Sequence, residues 1–251
     1  MSGFTPTGPE RPGLSLLVLG CDGSWPGPGG AGSGYLVTAG ETRLWLDAGP
    51  GTFAVLQQHL DPGLIDAVVV SHRHPDHWTD LHGLATQARY APGRGRIPVY
   101  GPEGVADRSG LAGAAPLDWH TVTGGDSVRI GALGVTFRRT DHVFETLATR
   151  IDGGGRRLGY SADTGPGWSL AELGTGLDLV LCEATYTTEH EGTADHLSGR
   201  QAGEQARQAR ARRLAITHRW PTVDAASVAA EAATAFGGPV EQAVIGKEFV
   251  L

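Results

Sequence analysis

Ser71-His72-Arg73-His74-Pro75-Asp76-His77 brings four side chains able to bind a metal into six residues, just after the apolar run Ala67-Val68-Val69-Val70. A short β-branched run reads as a buried strand, so the cluster falls at a strand end. Imidazole together with carboxylate suits zinc, manganese or iron. So many borderline ligands would be costly to pack without a cation to neutralise and orient them. The loop therefore reads as a metal site rather than as a polar turn that happens to be rich in histidine.

Composition narrows what surrounds that site. At 251 residues the chain is long enough for a large core, and α/β architectures of this length commonly form one domain. Net charge is −7 with histidine neutral, and Arg207 to Arg213 is the one short basic segment, which disfavours a long polyanion as the main partner. Cys21 and Cys182 are too few for a disulfide framework and sit in or beside apolar strands, so a reducing compartment is expected. Met1 to Pro12 lacks a basic start and an apolar core, and no stretch approaches the roughly 18 to 20 apolar residues of a membrane span. The expectation is a cytoplasmic protein with no membrane partner, in which residues 1–12 are a flexible tail and 13–251 one domain.

Glycine and proline cut the rest into short apolar runs, many followed by helical spacing. Leu14 to Leu19 reads as a strand, Tyr35 to Thr38 and Arg43 to Asp47 as a hairpin, Thr52 to Leu60 and Leu81 to Tyr90 as helices. Leu133 to Thr140, Thr146 to Ile151 and Arg156 to Ser161 read as antiparallel strands, and Leu177 to Cys182 as a buried one. Ser198-Gly199-Arg200-Gln201 is a capping box opening a helix through about Ala211. Arg213 to Thr217 is a strand, Asp224 to Phe236 a helix, and Val240 to Val244 a last strand. Strands then helix, twice over, fit an α+β fold of two sheets between outer helices.

Three single residues stand at the ends of these strands: His142, Asp163 and His218. Alone, each could be a surface histidine or a turn former. With the cluster they make seven ligands, enough for two cations: three imidazoles for one, Asp76, His77 and His218 for the other, and Asp163 between them. Two such cations roughly 3.5 to 4 Å apart would hold a shared hydroxide.

His-x-His-x-Asp-His at His72, His74, Asp76 and His77 resembles the metallo-β-lactamase-fold hydrolases, and the likeness runs from Leu19-Gly20-Cys21-Asp22-Gly23-Ser24 and Leu46-Asp47-Ala48-Gly49 to Thr217-His218. It implies an αββα sandwich in which His72, His74 and His142 bind one divalent metal, Asp76, His77 and His218 the other, and Asp163 bridges. Zinc is the expected metal, with manganese or iron accepted by the same ligands. Asp195-His196-Leu197-Ser198-Gly199-Arg200-Gln201-Ala202-Gly203 and Tyr160-Ser161-Ala162-Asp163-Thr164-Gly165 resemble the ribonuclease Z and cyclic-nucleotide phosphodiesterase branch. The resemblance makes Asp76 and His196 the catalytic residues, with His196 assisting the leaving group, a role suited to a group titrating near neutrality. Only about twenty residues separate His142 from Asp163, too few for a tRNA-gripping arm. The expected substrate is a small phosphodiester such as a cyclic nucleotide, and a homodimer is compatible with the resemblance.

Asp47 is a candidate to orient the His loop or a plain strand-end cap. Asp141 and Asp195 are weak candidates to orient their histidine neighbours. Trp78, Trp168 and Trp220 fall near the expected rim, where they either stack on a base or pack the core. His59, His82, His120 and His190 lie outside every motif. Rival readings are a lactone or thioester hydrolase on the same metals, a single-iron persulfide enzyme, and a non-catalytic metal-binding regulatory protein.

Overall fold

A computed structural model describes residues 13–90 and 95–251; the tail expected over residues 1–12 lies outside the described residues. Strands β1 (Ser15–Gly20), β2 (Gly34–Ala39) and β3 (Thr42–Ala48) pair antiparallel, and β4 (Ala67–Val69), β5 (Ile97–Gly101) and β6 (Leu117–Thr121) add to β3 in parallel. Helices α1 (Thr52–His59), α2 (Leu81–Tyr90) and α3 (Val105–Ser109) make the crossovers. The second sheet follows the same rule: β7 (Ser127–Ile130), β8 (Leu133–Arg139), β9 (Leu147–Gly153) and β10 (Arg156–Tyr160) are antiparallel. Then β11 (Leu179–Glu183), β12 (Leu214–Thr217) and β13 (Glu241–Gln242) run parallel, connected through α4 (Gly199–Gln208) and α5 (Ala225–Phe236). The last strand, β14 (Glu248–Val250), returns to pair antiparallel with β1.

Alternation along the strands builds the layers. Leu16 and Val18 of β1, Leu44 and Leu46 of β3, Val135 and Phe137 of β8, and Leu179 and Leu181 of β11 meet between the sheets. Trp45 and Val68 face the other way, onto α1 and α2, while Val180 and Cys182 face Ala202 and Ala206 of α4. The result is the expected α+β sandwich with helices outside both sheets. Cys21 and Cys182 are free thiols, both raised by burial, Cys21 to about 12. Among the described residues no helix is long and apolar enough to cross a membrane.

Two expected boundaries shift. The α4 helix begins with the expected capping box at Ser198 and Gln201 but stops at Gln208, because Arg210 turns into the left-handed region (φ 54°) and the Ala211 N–H bonds back to the Ala206 carbonyl. The strand expected over 240–244 shortens to the edge pair Glu241–Gln242, beyond which Ala243 N–H still bonds the Ile216 carbonyl.

Candidate metal centre

Parallel strands put their C-terminal ends on one rim, and the chemistry collects there. The His loop follows β4, Asp163 follows β10, His218 follows β12, and His142 lies in the turn between β8 and β9. A single 3-10 turn, Pro75–His77, swings Asp76 and His77 inward behind His72 and His74, and the Trp78 indole N–H pins it by donating to the Arg73 carbonyl at 3.0 Å. Asp47, Ala162 and His218 adopt left-handed backbone (φ 55°, 51° and 55°), which disfavours non-glycine residues by about 1 kcal/mol or more each. Three such residues at the ends of β3, β10 and β12 mark the rim as a place where strain is tolerated to aim side chains. Gly49 and Gly23 allow the close approaches: a Cβ on Gly49 would meet the Asp76 carbonyl oxygen at 2.1 Å, and one on Gly23 the His218 carbonyl oxygen at 2.3 Å.

All seven expected ligands converge. His72 Nε2 lies 2.9 Å from His74 Nδ1 and 3.4 Å from Asp163 Oδ2, and His142 Nε2 lies 3.2 Å from His74 Nδ1. In the neighbouring group, Asp76 Oδ2 is 3.4 Å from His77 Nε2 and 3.3 Å from His218 Nε2. Asp163 Oδ1 is 3.3 Å from His77 Nε2 and 3.4 Å from His218 Nε2. Asp163 thus offers one carboxylate oxygen to each group. His72, His77, Asp163 and His218 are buried, Asp76 nearly so, and His74 and His142 half-buried.

The donor set fits divalent metal. His77 Nε2 and Asp163 Oδ1 are buried with no hydrogen-bond partner, a costly state for two polar atoms unless something else binds them. The donor spacings match the ~3.3 Å edge that separates ligands around a tetrahedral cation with bonds near 2.0 to 2.1 Å. Tautomers agree. His77 Nδ1 donates to Asp47 Oδ2 at 2.8 Å and His142 Nδ1 to the Asp195 carbonyl at 3.1 Å, leaving each Nε2 lone pair aimed into the cluster. Charge agrees too. Burial with the nearby His77 holds His72 below the usual imidazole range, and burial lowers His74 against the pull of Asp163. Burial would lower His77 as well, but Asp163, Asp76 and Asp47 outweigh it and raise that ring well above normal. The carboxyls of Asp163 and Asp76 stay ionised against burial because imidazoles surround them. Three buried carboxylates around His77 require positive charge, from a proton or from a cation.

Behind the donors sit two carboxylates of different visibility. Of its two candidate roles Asp47 takes that of orienting the His loop: it accepts from Ser71 N (2.7 Å), Ser71 Oγ (2.9 Å), His77 Nδ1 (2.8 Å) and Tyr160 OH (2.7 Å). The second is Glu183 at the end of β11, to which no role attaches in the sequence. It accepts from His196 Nδ1 (3.0 Å), Thr164 N (2.6 Å), Thr185 Oγ1 (2.7 Å) and Leu197 N (3.2 Å), and Thr185 Oγ1 in turn lies 3.1 Å from His218 Nδ1. One carboxylate therefore fixes both His196 and His218. A carboxylate ending an otherwise apolar strand run was the available signal. With Nδ1 engaged, His196 keeps Nε2 for the cluster, and its ring centre is 5.1 Å from His218 and 5.4 Å from His142. Burial works against its proton, yet Glu183 raises it to about 9.

Some expectations are corrected. Asp141 does not hold His142; its side chain accepts from Gly167 N–H at 2.9 Å, and Asp195 does not hold His196, whose Nδ1 lies on Glu183, but meets His142 through its backbone carbonyl. Trp78 and Trp168 are buried among the outer core side chains and offer no stacking face. Trp220 is half-buried beside Trp25, its N–H on Ser24 Oγ. His59, His82, His120 and His190 lie outside the cluster, as expected.

The fold and this rim define a metal-dependent hydrolase. Residues 42–219 match the beta-lactamase superfamily domain, and the chain belongs to that family. It is 39% identical over 251 residues to the uncharacterized protein Rv1339 of Mycobacterium tuberculosis, across 94% of this chain and 92% of that one. It is 30% identical over 244 residues to the probable metallo-hydrolase YhfI of Bacillus subtilis, across 93% and 98%. The crystal structure of YhfI superposes with a TM-score of 0.87 at 27% identity, covering 94% of this chain and 99% of that one. A stretch of 141 residues is 32% identical to ribonuclease Z of Methanopyrus kandleri, over 55% of this chain and 50% of the other. The likeness is to the ribonuclease Z-like branch of the metallo-β-lactamase fold.

Proposed function

We propose that the chain binds two divalent cations, zinc the simplest choice, and hydrolyses a small phosphodiester such as a cyclic nucleotide. His72, His74, His142 and Asp163 Oδ2 would hold one cation, and Asp76, His77, His218 and Asp163 Oδ1 the other. When bound, such a pair supplies a water acidified towards about pH 7 and charge stabilisation at the phosphoryl oxygens. The observation that carries the phosphodiester reading is His196, buried beside the donors and tied through Nδ1 to Glu183, a carboxylate that favours the protonated ring. An alkoxide leaving phosphorus needs a proton, and His196 Nε2 is placed at the cluster to supply one. Glu183 keeps that ring from turning away, and Asp76 faces His77 and His218 across the second cation site. The compact β9–β10 hairpin fills most of the interval between His142 and Asp163, which together with the acidic balance favours a small substrate over long RNA.

His196→Ala tests this directly. It should keep the metal content of the wild type and lose about 10² to 10⁴ in kcat on a diester with an alkoxide leaving group, with a much smaller loss for p-nitrophenolate, which leaves without a proton. Equal losses on the two diesters, or none, would remove the leaving-group role.

A further inference from the structure

On the His74 side of the rim lies a cavity of about 310 Å³ lined by Arg73, His74, Pro75, Arg108 and Phe144. Its wall contains two guanidinium groups and no acidic side chain. Among the described residues neither Arg73 nor Arg108 has a carboxylate at ion-pair distance. Two arginines and no acid in one cavity make it locally positive in a chain of net charge −7. Arg73 is also held in place. The Arg73 guanidinium lies over the Phe144 ring, 3.6 Å from its centre, and that ring packs edge-on against His74 with centroids 5.0 Å apart. The Arg73 carbonyl is fixed by the Trp78 indole, and the Gly104 backbone lies just beyond the guanidinium. Stacking on Phe144 leaves the edge of the guanidinium free to donate, the arrangement in which arginine binds phosphate with two parallel hydrogen bonds.

We infer that Arg73 and Arg108 form a subsite for a second phosphate group of the substrate, next to the place where the scissile diester meets His74. The inference rests on the phosphodiester reading above and narrows it: favoured substrates carry a further phosphate beyond the bond that is cut. A base is the less suitable occupant, because Arg73 covers the Phe144 face that would stack on it.

The test separates recognition from turnover. Equilibrium binding of adenosine 3′,5′-bisphosphate and of adenosine 5′-monophosphate to the metal-loaded protein should differ by about tenfold in favour of the bisphosphate. Arg108→Ala and Arg73→Gln should each collapse that ratio towards one, and 0.5 M salt should shrink it in the wild type. Arg89→Ala, on α2 and outside the cavity, controls for the loss of one charge and should leave the ratio intact. Equal affinities in the wild type, or a ratio that survives both cavity variants or falls equally in Arg89→Ala, would overturn the subsite. If no phosphodiester is hydrolysed but the ratio still depends on Arg73 and Arg108, the subsite stands and the phosphodiester reading fails.

Discussion

Asp47→Asn is the sharpest probe of how the His loop is held. The substitution keeps shape and removes only charge and one acceptor. In the native rim Oδ2 takes three donors, Ser71 Oγ, His77 Nδ1 and Tyr160 OH, while Oδ1 takes the Ser71 N–H. The best placement of an amide keeps its oxygen at the three-donor position and points NH₂ at the Ser71 N–H, donor against donor. One buried hydrogen bond is then lost outright, at about 1 to 3 kcal/mol, and three others pass from a charged to a neutral acceptor. Asp47 is fully buried, so water cannot compensate. We expect about 3 kcal/mol lower stability of the metal-free protein in urea unfolding. Metal affinity should fall about 10- to 100-fold, because His77 loses the partner that sets its tautomer and basicity. Competition against a chromophoric chelator measures the second quantity. Affinity within twofold of wild type, together with stability within about 0.5 kcal/mol, would show that Asp47 is only a strand-end cap.

Two further outcomes follow from the same rim. His77 is raised well above its ordinary value, so its proton stabilises the metal-free protein fully below about pH 6.5 and is lost as pH climbs through the raised value. Because a metal must displace that proton, affinity should rise by up to about tenfold per pH unit between pH 6.5 and 8.5, and the Tm gap between metal-loaded and metal-free protein should widen. A gap independent of pH would contradict the placement of His77 among the ligands. Gly23→Ala would drive a Cβ to 2.9 Å from His218 Nδ1 as well as into its carbonyl, so metal content measured after gel filtration should fall towards about one ion per chain. Two ions held at wild-type affinity would show that the His218 turn yields without cost.

The sandwich was legible where strands were apolar runs or alternated over seven or more residues: Ala67 to Val70, Leu133 to Thr140 and Leu177 to Cys182 lie on or within a residue or two of β4, β8 and β11. Missed were β5, β6 and β7. The first carries Pro98, and the second (Leu117-Asp118-Trp119-His120-Thr121) and third (Ser127-Val128-Arg129-Ile130) alternate apolar and polar residues over only four or five positions. Pairing with β5 and β8 completes what so short an alternation leaves open. β14 was invisible for the same reason, being three residues set by its partner β1. At the site, the donors could be found because metal ligands are few in kind and fall at strand ends. Glu183 could not be ranked, since its importance lies in three-dimensional neighbours, His196 and Thr185, that its own sequence context does not announce. Likewise Arg73, next to two ligands in sequence, gains meaning only when Phe144 and Arg108 arrive beside it.

The measurement that bears most directly on the whole account is kcat/KM of zinc- or manganese-reconstituted protein on 3′,5′- and 2′,3′-cyclic nucleotides, an aryl phosphodiester, a lactone and a thioester. The account predicts that at least one phosphodiester is cleaved far faster than either acyl substrate, and that chelation abolishes the activity. Faster cleavage of the lactone or thioester, or turnover untouched by removal of metal, would contradict it.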